Sequence, residues 1–276
     1  MQSIEMEIIE FDKWLNQKRN LADNSRSEYT RRLKKFFEWL GDSSITEAAI
    51  LDYLDSLKKD GMSDKTINCY RDAISAYIKF RGLNIEKPPI RKLVENLPDV
   101  IEDEKLFENI IIPQADEIFK RKRCKAKALL YLFHDSGLRP SSVVALKREN
   151  FHLGKNMGIC LNVKVKKQQF FYFTNKAAVA LEIYFDSDEE KKNAFNISRS
   201  GIARMFSILK KSDKLKHINL RPCLFRHTVA SKLLNDGLSD KEVQEFLCHS
   251  SSASMGRYVK VNVEKFKAKY LNIMNN

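Results

Sequence analysis

Apolar residues keep a helical period up to Gly82, lose it over residues 83–105 and regain it beyond. The broken stretch carries Pro88-Pro89, Pro98 and mixed charge, the composition of an exposed connector between domains. A chain of 276 residues is long for one compact core and comfortable for two. The expected organisation is therefore a domain over residues 1–82, a linker over 83–105 and a second domain over 106–276.

In the first domain, Ile4, Ile8, Phe11 and Leu15 share one helical face. A second run follows Asp23-Asn24 with Tyr29, Leu33, Phe36, Phe37 and Leu40, and Gly41 stops it. Thr46 can cap a third helix ending near Gly61, and Ser63 or Asp64 opens a fourth through Ile67, Tyr70, Ile74, Tyr77 and Ile78 to Gly82. This predicts a bundle of four helices. Arg26, Arg31, Arg32, Lys34 and Lys35 on the second helix, and Lys65, Arg71, Lys79 and Arg81 on the fourth, read as basic polar faces. Such faces suit a polyanion, although solvated helices show the same pattern.

The second domain reads as helices over residues 114–121, from Lys125 to Gly137, and from Ser141 to about Arg148. GICLNVKVKKQQFFYFT then reads as a β-hairpin around a lysine-rich turn, and helices return over 176–185, 198–211, 225–236, 239–247 and 263–274. The class is mainly α with a small β-sheet.

Net charge is +13 with a pI near 9.4, which draws polyanions, nucleic acid first among them. The five cysteines are odd in number, scattered and without a C-x-x-C pair, which argues against a disulfide framework or a zinc site and fits a reducing cytoplasm. The N-terminus carries acidic residues within its apolar pattern, and no stretch approaches the ~18 apolar residues of a membrane span. A soluble, unexported, cytoplasmic protein with no membrane partner is expected.

Four segments of the second domain carry chemistry: HDSGLRPSSVVAL around Arg139, the hairpin lysines Lys164, Lys166 and Lys167, RPCLFRHTVASKLLNDG around Arg226, and FLCHSSSASMGRYVKV with His249 and Tyr258. Each alone has an ordinary structural reading. In order they resemble the tyrosine recombinases of the phage integrase family. Those proteins carry an arginine after a glycine-leucine turn, a hairpin lysine, H-x-x-R, then G-H and a tyrosine shortly after. Here Tyr258 follows His249 by nine residues. The likeness spans the chain, since that family places a SAM-like helical core-binding domain and a linker before an α+β catalytic domain.

The resemblance implies a site-specific DNA recombinase or integrase that cleaves and rejoins strands through a 3′-phosphotyrosyl intermediate. Attack on a phosphodiester builds negative charge on the phosphate oxygens, which two guanidinium forks are suited to hold. By the resemblance these are Arg139 and Arg226, with Tyr258 the nucleophile and His249 contacting the phosphate and assisting proton movement. A hairpin lysine is the usual acid for the departing 5′ oxygen. Strand alternation pairs Lys164 with Lys166, and Lys166 lies nearer the turn and is preferred, with Lys164 and Lys167 remaining open. No cofactor or metal is implied. The implied partners are double-stranded DNA with a specific recombination site and a homo-tetramer on that DNA. The tail over residues 262–276 would pack on a neighbouring protomer.

The chain departs from the pattern at Cys223, where the H-x-x-R histidine would stand, and at Cys248, where glycine normally precedes the second histidine. A thiol is only a weak donor, and His227 cannot replace the missing ring, because it points about 100° away from Arg226 on a helix. A catalytically weakened DNA-binding protein and a type IB topoisomerase are the alternative readings. His134 reads as structural, His152 and His217 have no partner motif, and Tyr270 shares an apolar face with Phe266 and Ile273.

Overall fold

The computed structural model describes residues 2–93, 99–101, 103–162, 167–187 and 193–247. The chain divides into two compact units, Met1–Glu95 and Asn96–Asn276.

The first unit is built from α1 (Gln2–Arg19), α2 (Asp23–Leu40), α3 (Glu47–Lys59) and α4 (Asp64–Arg81). Their apolar faces meet in a core of Phe11, Leu15, Leu33, Phe36, Ile50, Ile67 and Ile74, all buried. The helix starts follow the local chemistry: Thr46 Oγ1 accepts the Ala49 N–H at 3.1 Å, and Ser63 Oγ accepts that of Thr66 at 3.3 Å.

Arg26, Arg32, Arg71 and Arg81, expected on polar faces, are tied into the fold instead, Arg81 through Glu7 at 2.7 Å. Arg26 Nε donates to Asp12 at 3.1 Å, and Arg32 pairs with Glu28 at 2.7 Å while lying over the Tyr70 ring. Arg71, 5% exposed, donates from Nε to the Pro88 carbonyl at 2.7 Å. It stands one turn from Ile67 on α4 and so borders the apolar face, where a long side chain can lie along the core. Lys34, Lys35, Lys65 and Lys79 remain exposed.

Residues 83–93, read from composition as an exposed connector, are fastened to α4. Asn68 donates to the Arg91 carbonyl at 2.9 Å and accepts the Arg91 N–H at 3.0 Å, while Arg91 Nη2 lies 2.6 Å from Asp55. Side chains of α4 thus take over backbone pairing in a segment whose prolines cannot join a regular ladder.

The second unit opens with α5 (Glu104–Leu106), which continues through a π-helical turn (Phe107–Ile111) into α6 (Ile112–Ile118). This helix begins at Glu104, ahead of the expected start at 114. The Ile112 N–H reaches the Phe107 carbonyl, and the widened turn admits Pro113 inside a continuous helix.

α7 (Arg123–Ser136) runs through the middle of this unit. Ala128, Leu129, Leu130, Leu132 and Phe133 are all buried, because neighbours pack on nearly every side of the helix. α8 (Pro140–Ala145) follows, then a three-stranded antiparallel sheet of β1 (Phe151–His152), β2 (Met157–Asn162) and β3 (Lys167–Tyr172) in the order β1-β2-β3. The chain ends its described part with α9 (Asn175–Ser187), α10 (Arg199–Leu209), α11 (Pro222–Asn235) and α12 (Asp240–Phe246). The hairpin falls where the pattern put it, with Cys160 opposite Gln169. α11 starts at Pro222 rather than 225, since proline at the first helical position loses no hydrogen bond. The expected helix over 263–274 and the tail 262–276 lie outside the described residues. Among the described residues, no helix is long and apolar enough to cross a membrane.

Candidate active site

The turn after α7 sets the first arginine. Gly137 has φ +58° and donates to the Phe133 carbonyl at 3.1 Å. A Cβ there would sit 3.3 Å from Leu247 Cδ2 and 3.4 Å from Arg226 Cα, so glycine answers both a left-handed backbone and the close passage of α11. Ser136, buried beside it, donates to the Leu132 carbonyl at 2.5 Å and accepts the Leu138 N–H at 3.3 Å. Leu138 anchors the turn in the core, and Arg139 becomes the extended residue before α8, its carbonyl accepting the Ser142 and Val143 N–H groups at 2.9 and 3.1 Å. Its side chain caps no helix start; Nη1 instead points to the Leu247 carbonyl at 3.4 Å.

The second arginine comes from α11, where Leu224 and Phe225 are seated in the core and Arg226 is 7% exposed. A guanidinium keeps its charge at any ordinary pH, so burying it requires acceptors. Arg226 Nη1 donates to the Gly137 carbonyl at 2.8 Å, and Nη2 donates to the Leu247 carbonyl.

Both arginines therefore converge on the end of α12. That helix starts with a reciprocal cap in which Glu242 Oε2 accepts the Ser239 N–H at 2.7 Å and Ser239 Oγ accepts the Glu242 N–H at 3.3 Å. Hydrogen bonds from the Ser239 side chain and backbone hold the Glu242 carboxyl below its ordinary pKa. At the other end, the last carbonyls of a helix lack intrahelical donors and carry its negative pole. Leu247 O receives Arg139 and Arg226, and Phe246 O receives Gln169 Nε2 from β3 at 2.6 Å. Val229, Ala230, Val243 and Leu247 pack α11 against α12 and keep these carbonyls in place.

Of the residues singled out in the sequence, Arg139 and Arg226 come together on Leu247, which precedes His249 by two positions. Cys223 is exposed in the first turn of α11, three residues before Arg226 and so a neighbour along the helix surface. Lys164, Lys166, Cys248, His249 and Tyr258 lie outside the described residues, and Lys167 opens β3. His134 stacks on Phe107 with ring centroids 3.9 Å apart and meets Asp135 at 2.7 Å, the structural role its sequence context suggested. His152 and His217 are exposed. Among the described residues, no three His, Cys, Asp or Glu side chains group as metal ligands.

Sequence reasoning passed over Ser136, Asp135, Gln169 and the Leu247 carbonyl. Asp135 Oδ2 accepts both the N–H and the hydroxyl of Thr174, at 2.8 and 2.7 Å, and so ties the end of α7 to the start of α9. Gln169 left a readable signal. It alternates with exposed Gln168 and Phe170 and shares the inward face with Phe171, so it is a polar residue at a core position. A backbone carbonyl leaves no such signal.

Residues 106–265 match the model of the phage integrase family, and residues 8–82 match that of the phage integrase N-terminal SAM-like domain. The chain is 26% identical over 273 residues to tyrosine recombinase XerA of Thermococcus kodakarensis, covering 94% of this chain and 92% of that protein. Its fold is similar to that of the XerH site-specific recombinase bound to palindromic difH substrate in a post-cleavage complex, with TM-score 0.71 at 18% identity over 95% of this chain and 83% of the other. A lambda integrase tetramer bound to a Holliday junction matches with TM-score 0.67 at 12% identity over 92% and 76%.

Proposed function

The chain belongs to the phage integrase family and is a tyrosine recombinase, and from that premise we propose that it exchanges DNA strands at a specific site, as a homo-tetramer assembled on its DNA, in the cytoplasm. The observation that carries the reading is the meeting of Arg139 and Arg226 at the Leu247 carbonyl. Two permanent charges from distant segments are held at the point where the chain passes toward His249 and Tyr258. Tyr258 Oη forms a bond to phosphorus as the bond to the 5′ oxygen breaks. His249 takes the phenolic proton, a hairpin lysine protonates the departing oxygen, and the guanidiniums hold the charge that builds on the phosphate. Lys166 is the first choice for that acid, with Lys164 and Lys167 as alternatives. Rejoining reverses each transfer, and the covalent link conserves the bond energy.

Exchange between two duplexes needs four active sites, and the structural similarity to lambda integrase, solved as a tetramer on a Holliday junction, supports that assembly. The tail over 262–276 carries Val263, Phe266, Tyr270 and Ile273 at helical spacing, a stripe suited to a neighbouring protomer.

Covalent capture tests the reading. Randomised duplexes carrying a nick are incubated with the protein, the linked DNA is sequenced, and the linked peptide is mapped. Attachment at Tyr258 to one recurring sequence is the expected result; attachment elsewhere overturns it. Joining of two captured duplexes separates a recombinase from a type IB topoisomerase, which only relaxes supercoils.

A further inference from the structure

We propose that Gln169 is a positioning residue for strand cleavage, fastening the lysine-bearing hairpin to the α12 carbonyls that also gather the two arginines. The inference rests on the reading above, in which a hairpin residue protonates the departing 5′ oxygen. Its basis is geometric: adjacent carbonyls, Phe246 O and Leu247 O, receive side chains from three separate segments, namely Gln169 of β3, Arg139 of the α7–α8 turn and Arg226 of α11.

Gln169 is 5% exposed, and its side-chain amide donates to Phe246 O at 2.6 Å. An inward strand position asks for an apolar side chain, as Phe171, wholly buried on the same face, supplies. A buried amide there is costly unless it is bonded, and the partner it finds is the end of the helix that leads to His249. Tyr172, also on β3, stacks on Phe246 with ring planes 9° apart, so the strand meets the helix end a second time. The hairpin whose lysines supply the proposed acid thus has its second strand held to the helix end that gathers Arg139 and Arg226, and a small slip of that strand would move the proton donor relative to the scissile bond. Misplacement of that order is enough to slow catalysis strongly.

The test uses Gln169→Met, which keeps the length of the side chain and removes the donor, and Gln169→Glu, which keeps the shape and presents an acceptor to the carbonyl. Both are made in the full chain and assayed in single-turnover cleavage of the captured duplex, nicked, with either oxygen or sulfur at the 5′ bridging position. A thiolate leaves without a proton, so a defect in acid positioning disappears on the sulfur substrate. The expected result for Gln169→Met is a loss of roughly 10- to 100-fold on the oxygen substrate, a part of the roughly 10²–10⁴-fold that general-acid assistance supplies, with recovery to within about threefold of wild type on sulfur and unchanged duplex affinity. Gln169→Glu should behave alike, and it carries the test if the Met variant does not fold. Equal loss on both substrates, or no loss on either, overturns the inference. Lys164→Ala, Lys166→Ala and Lys167→Ala run in parallel. If one of them recovers on sulfur while the Gln169 variants do not, the lysine acid stands and the strap falls. If the Gln169 variants recover and no lysine variant does, the strap stands and the acid must be sought elsewhere.

Discussion

Three arginines of the helical bundle and the two arginines of the candidate site are held in opposite ways. In the helical bundle, Arg26 meets Asp12, Arg32 meets Glu28, and Arg81 meets Glu7. A carboxylate partner largely cancels a guanidinium's charge and makes it part of the scaffold. In the second unit, Arg139 and Arg226 are oriented by backbone carbonyls of Gly137 and Leu247. A carbonyl fixes the direction of a guanidinium without carrying a countercharge of its own. Counting basic residues therefore says little about where DNA is gripped; what accepts their hydrogen bonds says more.

The sharpest way to break this comparison is to remove the chemistry and keep the charge. Tyr258→Phe should abolish covalent capture while retaining binding, since only the nucleophilic oxygen is lost. Tyr270→Phe should remain active. Next in size, Arg139→Ala and Arg226→Ala should each lower single-turnover cleavage by about 10²–10³-fold or more, the scale seen when a donor to a developing charge is removed. Arg226→Lys should recover little of that loss, because a single ammonium cannot span the Gly137 and Leu247 carbonyls as a planar fork does. Near-wild-type cleavage by Arg226→Lys would mean that the carbonyl pair does not set its direction.

Intermediate effects sharpen the structural side. Gly137→Ala places a Cβ in a left-handed turn against α11 and should cost about 1–2 kcal/mol, read as a lower thermal midpoint of the catalytic unit. In the bundle, Arg71→Ala leaves the Pro88 carbonyl without its donor and should destabilise by about 1–3 kcal/mol. Lys34→Ala and Lys35→Ala should leave thermal stability nearly unchanged and each reduce the slope of log affinity against log salt by about one, if both lysines face phosphates. A stability loss from the lysines, or a changed salt slope from Arg71→Ala at constant fold, would erase the distinction between scaffold and grip.

Much of this was legible in the sequence because it is written in short-range chemistry. Gly41, Thr46, Ser63 and Gly82 mark helix ends through local backbone demands, and the helices they bound match the structure closely. Arg139 and Arg226 are singled out by motif order, and the structure brings both to the Leu247 carbonyl. What stayed hidden depends on contacts between distant segments. Arg71 looked like one more surface charge until the chain at Pro88 returned to it, and the helix expected from 114 begins at Glu104, with a π turn on the way. The hub itself, two carbonyls at the end of α12, is backbone and invisible to any reading of side chains.

The smallest expected effect belongs to Cys223, where the chain departs most clearly from its family's motif. The structure removes one objection to a test there: Cys223 is exposed, in the first turn of α11, so a larger side chain meets no buried packing. Arg226, one turn on, is buried and held by two carbonyls, and exchanging its neighbour should not disturb that hold. Cys223→Ala should therefore leave thermal stability within about 0.5 kcal/mol and cleavage close to wild type, since a thiol is a weak donor at a solvent-facing position. Cys223→His restores a ring that can donate strongly to a phosphate oxygen, and should raise single-turnover cleavage or shift its pH dependence toward the range where imidazole gains a proton. A large loss in Cys223→Ala at unchanged stability would assign the thiol a direct part in the chemistry. No change in Cys223→His would place the exposed first turn of α11 out of reach of the scissile phosphate and leave Arg139 and Arg226 as the clamp without a third donor from this helix.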